Sequence, residues 1–167
     1  MSEIKTMVIA AFPGCGKSYT VAHEAEKFNG VLDSDSSHFS WIKDSNGKNT
    51  NERNPDFPKN YIEHIKSQIG KVEVIFVSSH KEVRKALEQE GIKYFLVYPN
   101  IFQKKDYIQR YQNRGNDKNF INLLSANWDL WIKECDEEVF PIKIKLPYFS
   151  VKYLNKEVVD LINIMEG

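Results

Sequence analysis

Little in this chain crosslinks it, drives it into lipid or draws it to a charged partner. Its 167 residues include two cysteines. Cys15 sits in a glycine-rich turn and Cys135 in a helical pattern far along the chain, which excludes a disulfide framework and predicts a reducing, cytoplasmic setting. Long apolar runs are missing as well. The run Met7 to Phe12 covers a fraction of the roughly 20 residues a membrane helix needs, so no signal or membrane segment is expected. Net charge is absent: 23 basic residues balance 23 acidic ones. A general affinity for nucleic acid backbones or anionic membranes is therefore not indicated, although a local basic cleft escapes such a count. With no repeat, low-complexity tract or linker, residues 1–167 read as a single domain, long enough to bury a core without metal or disulfide staples.

Glycine is also scarce, 8 residues in all, yet Gly14 and Gly16 flank Cys15 inside Ala11-Phe12-Pro13-Gly14-Cys15-Gly16-Lys17-Ser18. Lacking a β-carbon, they let the backbone form a concave loop whose amide hydrogens point inward at phosphate oxygens. Lys17 can reach the outer phosphates, the Ser18 hydroxyl is placed to ligate Mg²⁺, and the helix starting here, with Tyr19 next in it, adds its dipole. The nucleotide-binding set is Pro13, Gly14, Cys15, Gly16, Lys17, Ser18 and Tyr19. The context fits, with a strand before (Thr6 to Ala10) and a helix after (Lys17 to Phe28). One departure stands out: Ala11 occupies the first glycine position of G-x-x-x-x-G-K-[ST], which alanine tolerates if that residue stays extended.

Strand and helix patterns alternate down the rest of the chain, which predicts an α/β fold with a parallel sheet wrapped by helices. Gly30 to Asp33 is a short second strand, and a polar stretch runs from Ser34 to Pro58, with Asn46-Gly47 as a tight turn. Tyr61, Ile62, Ile65 and Ile69 mark a helical face. Val72 to Val77 suits a central buried strand. Ser79-His80-Lys81-Glu82 reads as a capping box opening a helix that reaches Glu90 and stops at Gly91. A strand from Ile92 to Tyr98 ends at Pro99. Helices from about Gln103 to Arg114 and Asn119 to Glu138 follow, separated by Gly115-Asn116-Asp117. In the second of these, Phe120, Leu124, Trp128, Trp131 and Cys135 recur at helical spacing and read as a core seam, with the two tryptophans equally able to serve an interface. Phe140 to Leu146 is a last strand that Pro141 places at an edge, and Asn155 to Met165 a closing helix.

A phosphate loop alone indicates nucleoside triphosphate binding. No strand is followed by the Asn-Lys-x-Asp segment that reads guanine in GTPases. Helicase-type ATPases end a hydrophobic strand with an acid, whereas Val72 to Val77 leads into Ser78-Ser79. Carboxylates instead close the second strand, at Asp33 and Asp35, on the side where open α/β sheets bind ligands. Alternation along extended chain sends both to one face. One can hold Mg²⁺ and the other take the proton of an attacking hydroxyl. Asp-Ser-Asp-Ser-Ser is also good turn chemistry, so both readings stand.

With this loop and acid pair, the chain resembles the small P-loop kinases of the nucleoside monophosphate kinase superfamily. In shikimate, gluconate and polynucleotide 5′-hydroxyl kinases, acids end the strand after the phosphate-loop helix, and one commonly contacts the acceptor. Short phage and bacterial proteins described as adenylate kinases are similar too. The resemblance implies a three-layer fold with a five-stranded parallel sheet, and ATP with Mg²⁺ as cofactors. It does not supply an acceptor pocket, because Ser78-Ser79-His80 replaces the adenylate kinase Asp-Gly-Phe-Pro-Arg and the shikimate kinase glycine triplet.

The same likeness implies that Arg110 and Arg114, one helical turn apart, belong to a lid over residues 110–119 that closes on the phosphates, the competing reading being a solvated helix face. The segment 34–58 is expected to carry acceptor specificity, through His38, Trp41 and Arg53, as a base-stacking and phosphate-pairing set. The expected mechanism has Lys17 on the β and γ phosphates, Ser18 and Asp33 on Mg²⁺, Asp35 at the acceptor, and Arg110 and Arg114 over the transferring group. A nucleoside or nucleotide is the expected small-molecule acceptor. A polynucleotide 5′-hydroxyl or modified DNA base, and a binding protein with vestigial catalysis, are the rivals; oligomeric state is not legible.

Overall fold

The computed structural model describes residues 3–23 and 25–146. From the N-terminus, β1 (Met7–Ala11) leads through the glycine-rich turn into α1 (Lys17–His23), and β2 (Val31–Asp33) follows. The polar stretch holds α2 (Ser37–Ser40) and a hairpin of β3 (Trp41–Lys43) and β4 (Asn49–Arg53). Then come α3 (Lys59–Gln68), β5 (Val74–Ser78), α4 (Lys81–Gln89) and β6 (Phe95–Tyr98). The long helices α5 (Lys104–Asn113) and α6 (Lys118–Glu137) precede β7 (Ile142–Lys145). The closing helix expected over Asn155 to Met165 lies outside the described residues.

Five strands form one sheet in the order β2-β5-β1-β6-β7, and every neighbouring pair is parallel. Strands covered on both faces must be apolar throughout, and β1, β5 and β6 are indeed buried at every position. β7 is an edge strand with Pro141 just before it, where a missing N–H costs no ladder bond. The register pairs Ala11 with Ser78 on one side and with Val97 on the other, so the glycine-rich turn leaves the middle of the sheet beside the ends of β5 and β6. Behind it lies an aromatic core. Trp128 is fully buried, edge-on to Phe12 at 5.5 Å and 5.4 Å from Tyr107, with its ring N–H donating to the Ile101 carbonyl at 2.8 Å.

Three local expectations need correction. The first helix stops at His23 rather than Phe28, and a 3-10 turn over Ala25–Lys27 follows. The chain swings into β2 through Gly30, whose φ of +88° disfavours any β-carbon and where one would also come within 3.2 Å of the Val72 side chain. The Ser79–Glu82 capping box does not form: His80 is the N-cap of α4 and no side chain caps it. Ser79 is held as the last link out of β5, its carbonyl accepting from Arg84 Nη1 at 2.5 Å. The Ile92–Tyr98 strand is shorter, starting at Phe95, because the Ile92 amide closes α4 on the Leu87 carbonyl.

Candidate active site

Gly14 and Gly16 both take positive φ, +86° and +93°, which a β-carbon disfavours, and this turns the loop backbone into a cradle. Ala11 needs no glycine. It is the last residue of β1, extended and paired on both sides, so its β-carbon causes no strain. Lys17 and Ser18 open α1; Ser18 is exposed, and Tyr19 follows in the same helix.

The cradle is fastened from outside by α5. Tyr111 donates its hydroxyl hydrogen to the Pro13 carbonyl at 2.6 Å, and Arg110 Nη1 donates to the Gly14 carbonyl at 3.0 Å. The Tyr107 hydroxyl meets Cys15 Sγ at 3.5 Å, and the Arg110 guanidinium lies 4.4 Å from the centre of the Tyr107 ring. Contact is so close that a β-carbon on Gly14 would fall 2.9 Å from Tyr111. Burial pushes the Cys15 thiol up to about 12, with the Tyr107 hydrogen bond and nearby Arg110 opposing it, so the sulfur stays protonated and inert at neutral pH.

Acidic groups gather on the other side of the loop. Lys17 Nζ lies 3.8 Å from Asp33 Oδ1 at the end of β2. Asp33 and Asp35 are both exposed, with buried Ser34 between them, as alternation requires. The segment is pinned by its backbone. The Ser34 amide donates to the Phe76 carbonyl at 2.9 Å, and the Ser34 carbonyl accepts from the Tyr61 hydroxyl at 2.6 Å. That same hydroxyl accepts from the Ser78 amide at 3.1 Å, so one buried tyrosine ties the end of β2 to the end of β5. Burial pushes Tyr61 up to about 12. Asp35 Oδ1 accepts from the Ser37 amide at 2.9 Å, so Asp35 makes the turn contact as well as facing the cleft.

Next to the loop lies a cavity of about 830 Å³, within the usual range of small-molecule sites. Phe12 and Pro13 border it on the loop side, Asp35, Trp41 and Arg53 on the side of the polar insert, and His80 at the start of α4. Arg53 is set by its surroundings: its guanidinium lies 5.2 Å from the ring centres of both Trp41 and Phe57, and Nη2 donates to Glu82 Oε1 at 2.8 Å. The ring of His80 is crowded by protein although its surface is exposed. That desolvation, with Lys17 and Arg53 adding and Glu82 and Asp35 opposing, holds it below the usual histidine range.

Of the residues singled out in the sequence, Lys17 and Asp33 are brought together, Asp35, Trp41 and Arg53 line the cavity, and Arg110 reaches the loop. Arg114 is exposed at the C-terminal end of α5, and His38 is exposed on α2, away from the cavity lining. Tyr107 and Tyr111 escaped notice, and Tyr61 was read only as part of an apolar helical face; the hydroxyl contacts of all three left no local signal. Phe120 and Trp131, read as core seam, do pack against the core, Phe120 edge-on to Tyr111 at 5.6 Å, and being only partly buried they also line the cavity. Ser18 and Asp33 offer oxygen donors only, the donor type that suits Mg²⁺, an ion that keeps most of its coordination for water and phosphate oxygens.

A five-stranded parallel sheet flanked by helices, with a phosphate loop leaving its central strand, defines the P-loop kinase fold. Among solved structures the chain is similar to a gluconokinase from Sinorhizobium meliloti, with a TM-score of 0.55 and 13% identity over 99% of this chain and 95% of that one. That is a likeness of fold. No protein-family model matches the chain, and no curated relative matches it at a significant level. Among the described residues no helix is long and apolar enough to cross a membrane.

Proposed function

We propose that this protein is an ATP- and Mg²⁺-dependent phosphotransferase acting on a nucleoside or nucleotide. The observation that carries the reading is the pairing of Lys17 with Asp33 at 3.8 Å, at the mouth of a loop that opens beside a cavity carrying Asp35. The gluconokinase likeness supports the same class of chemistry.

The loop amides and Lys17 would hold the β and γ phosphates of the donor, with Ser18 and Asp33 as the protein ligands of Mg²⁺. When bound, that ion neutralises charge on the phosphate oxygens. Asp35 orients the acceptor and, where the acceptor is a hydroxyl, takes its proton. The acceptor oxygen forms a new bond to the γ phosphorus while the bond to the β–γ bridging oxygen breaks, leaving ADP. Arg110, which holds the Gly14 carbonyl, and Arg114, one turn further along, would answer charge on the transferring group. Catalysis of this kind is positioning and charge stabilisation, so its machinery is the constellation rather than any single nucleophile.

The test is ATP consumption against panels of ribo- and deoxynucleoside monophosphates, nucleosides, sugar acids and oligonucleotides with 5′-hydroxyl ends. Turnover with a nucleoside or nucleotide is expected. Tight ATP binding with no phosphorylated product from any panel would overturn the proposal in favour of a binding protein.

A further inference from the structure

The ladder between β2 and β5 gives way to side chains where it reaches the cavity. The parallel register sets Asp33 against Phe76, and the Ser34 amide continues it by donating to the Phe76 carbonyl at 2.9 Å. In a parallel ladder the next two rungs would run from the Ser78 amide to the Ser34 carbonyl and from the Ser36 amide to the Ser78 carbonyl. Hydroxyls stand in both places. The Tyr61 hydroxyl lies between the Ser34 carbonyl, to which it donates at 2.6 Å, and the Ser78 amide, from which it accepts at 3.1 Å. Ser78 Oγ accepts from the Ser36 amide at 3.3 Å. The residue between these two substituted rungs is Asp35, so the peptide groups on either side of it are both held by hydroxyls.

Core packing does not call for the Tyr61 hydroxyl. Its ring is fully buried, 5.2 Å from the ring centre of Phe39 and 6.1 Å from that of Phe57, where phenylalanine would pack as well with no hydroxyl to desolvate. Resting on the phosphotransferase reading above, we infer that Tyr61 and Ser78 are positioning residues for Asp35: their hydroxyls wedge β2 away from β5 at that residue and so set where its carboxylate meets the acceptor. Asp35 lines the cavity with Oδ1 taken by the Ser37 amide at 2.9 Å, which leaves Oδ2 for the acceptor. Neither hydroxyl touches a reacting atom; both act through Asp35. Without the Tyr61 hydroxyl, the Ser34 carbonyl and Ser78 amide close on each other as an ordinary rung, which keeps the fold and draws Asp35 toward β5.

The experiment follows ADP release with ATP, MgCl₂ and a mixture of the four ribonucleosides and their 5′-monophosphates as acceptors. Proteins are the native chain, Tyr61→Phe, Ser78→Ala and Asp35→Asn. Tyr61→Phe and Ser78→Ala each lower kcat by at least about tenfold, within the loss a misplacement of about 1 Å brings, and leave KM for ATP unchanged. Ser78→Ala keeps the Tyr61 contacts, which reach only the Ser78 backbone, and carries the test should Tyr61→Phe not fold. The inference falls if the folded variants keep the native kcat. It falls equally if KM for ATP rises in step with the loss of kcat, because the hydroxyls then support the whole end of β2, Asp33 included, rather than Asp35. A native kcat in Asp35→Asn also overturns it. These three results leave phosphoryl transfer standing, whereas no ADP release from the native chain removes both.

Discussion

The hydroxyl of Tyr111 donates to the carbonyl of Pro13 at 2.6 Å, so the helix carrying Arg110 is fastened directly to the glycine-rich loop. Tyr107 and Tyr111 are buried on α5. Swinging α5 away as a lid exposes both rings, at roughly 2 kcal/mol each. On the proposed function, lid closure is therefore expected beyond them, around Gly115 at a φ of +71° and exposed Arg114.

Tyr111→Phe keeps the ring and removes the hydrogen bond. It should cost about 1 kcal/mol of stability in a urea melt and raise KM for ATP several-fold. Gly14→Ala should be worse on both counts, since it meets Tyr111 at 2.9 Å and must hold a φ of +86°. Equal KM values for Tyr111→Phe and the native chain would show that the loop keeps its shape unaided.

Lys17→Ala should leave circular dichroism unchanged, because the residue is partly exposed and its pairing with Asp33 is a solvent-screened contact at 3.8 Å. Turnover should drop by at least about a hundredfold, the loss typical of removing a preorganised charge partner. Normal ATP turnover in this variant is the result that would sink the assignment.

Neither thiol should react with iodoacetamide at pH 8 in the folded protein. Burial pushes Cys15 up to about 12 and Cys135 to about 11. The sign follows: the folded state keeps protons that the unfolded chain releases above pH 9, so stability is intact below pH 9 and falls between 9 and 12. Tyr61, held near 12, adds to the decline above 10. Melting temperatures of Cys15→Ala should fall less steeply between pH 9 and 10 than those of the native chain.

Arg53→Ala and Glu82→Gln break an ion pair whose side chains are 52% and 47% exposed, so each should change stability by less than about 1 kcal/mol. Their effects should separate in steady-state kinetics. Arg53→Ala should raise KM for the acceptor with KM for ATP unmoved, while Glu82→Gln frees Arg53 and should leave acceptor KM the same or lower.

Arg84 is the opposite case. Its side chain is 5% exposed, and its Nε donates to Glu138 at 2.7 Å while Nη1 holds the Ser79 carbonyl. Arg84→Ala leaves those partners unmet and should destabilise by up to about 3 kcal/mol in a urea titration.

The sheet was legible in the sequence because its central strands are covered on both faces and must be almost wholly apolar, as Met7–Ala11 is throughout and Val74–Ser78 is up to its final serine. The loop was legible because its turn takes positive φ at Gly14 and Gly16, which glycine spacing records. Asn46-Gly47 announced its hairpin for the same reason, and Gly47 takes a φ of +76° between β3 and β4. The early end of α1 and the missing cap at Ser79 were not legible, since both follow from where the sheet ends put the chain rather than from local preference. Nor was the share of α6 in the cavity lining. A period of 3.6 residues reports which side of a helix is apolar, and cannot separate Trp128, sealed in the core, from Trp131, half open on a cavity. Tyr61 and Tyr111 act through hydroxyls that find partners 17 to 98 residues away, beyond any local pattern.

β1 lies in the middle of the sheet, held by β5 and β6, whereas β2 is a three-residue edge strand leading into the hairpin. On the proposed function, the donor loop therefore leaves a strand held by two neighbours, and the acceptor side leaves a strand held by one.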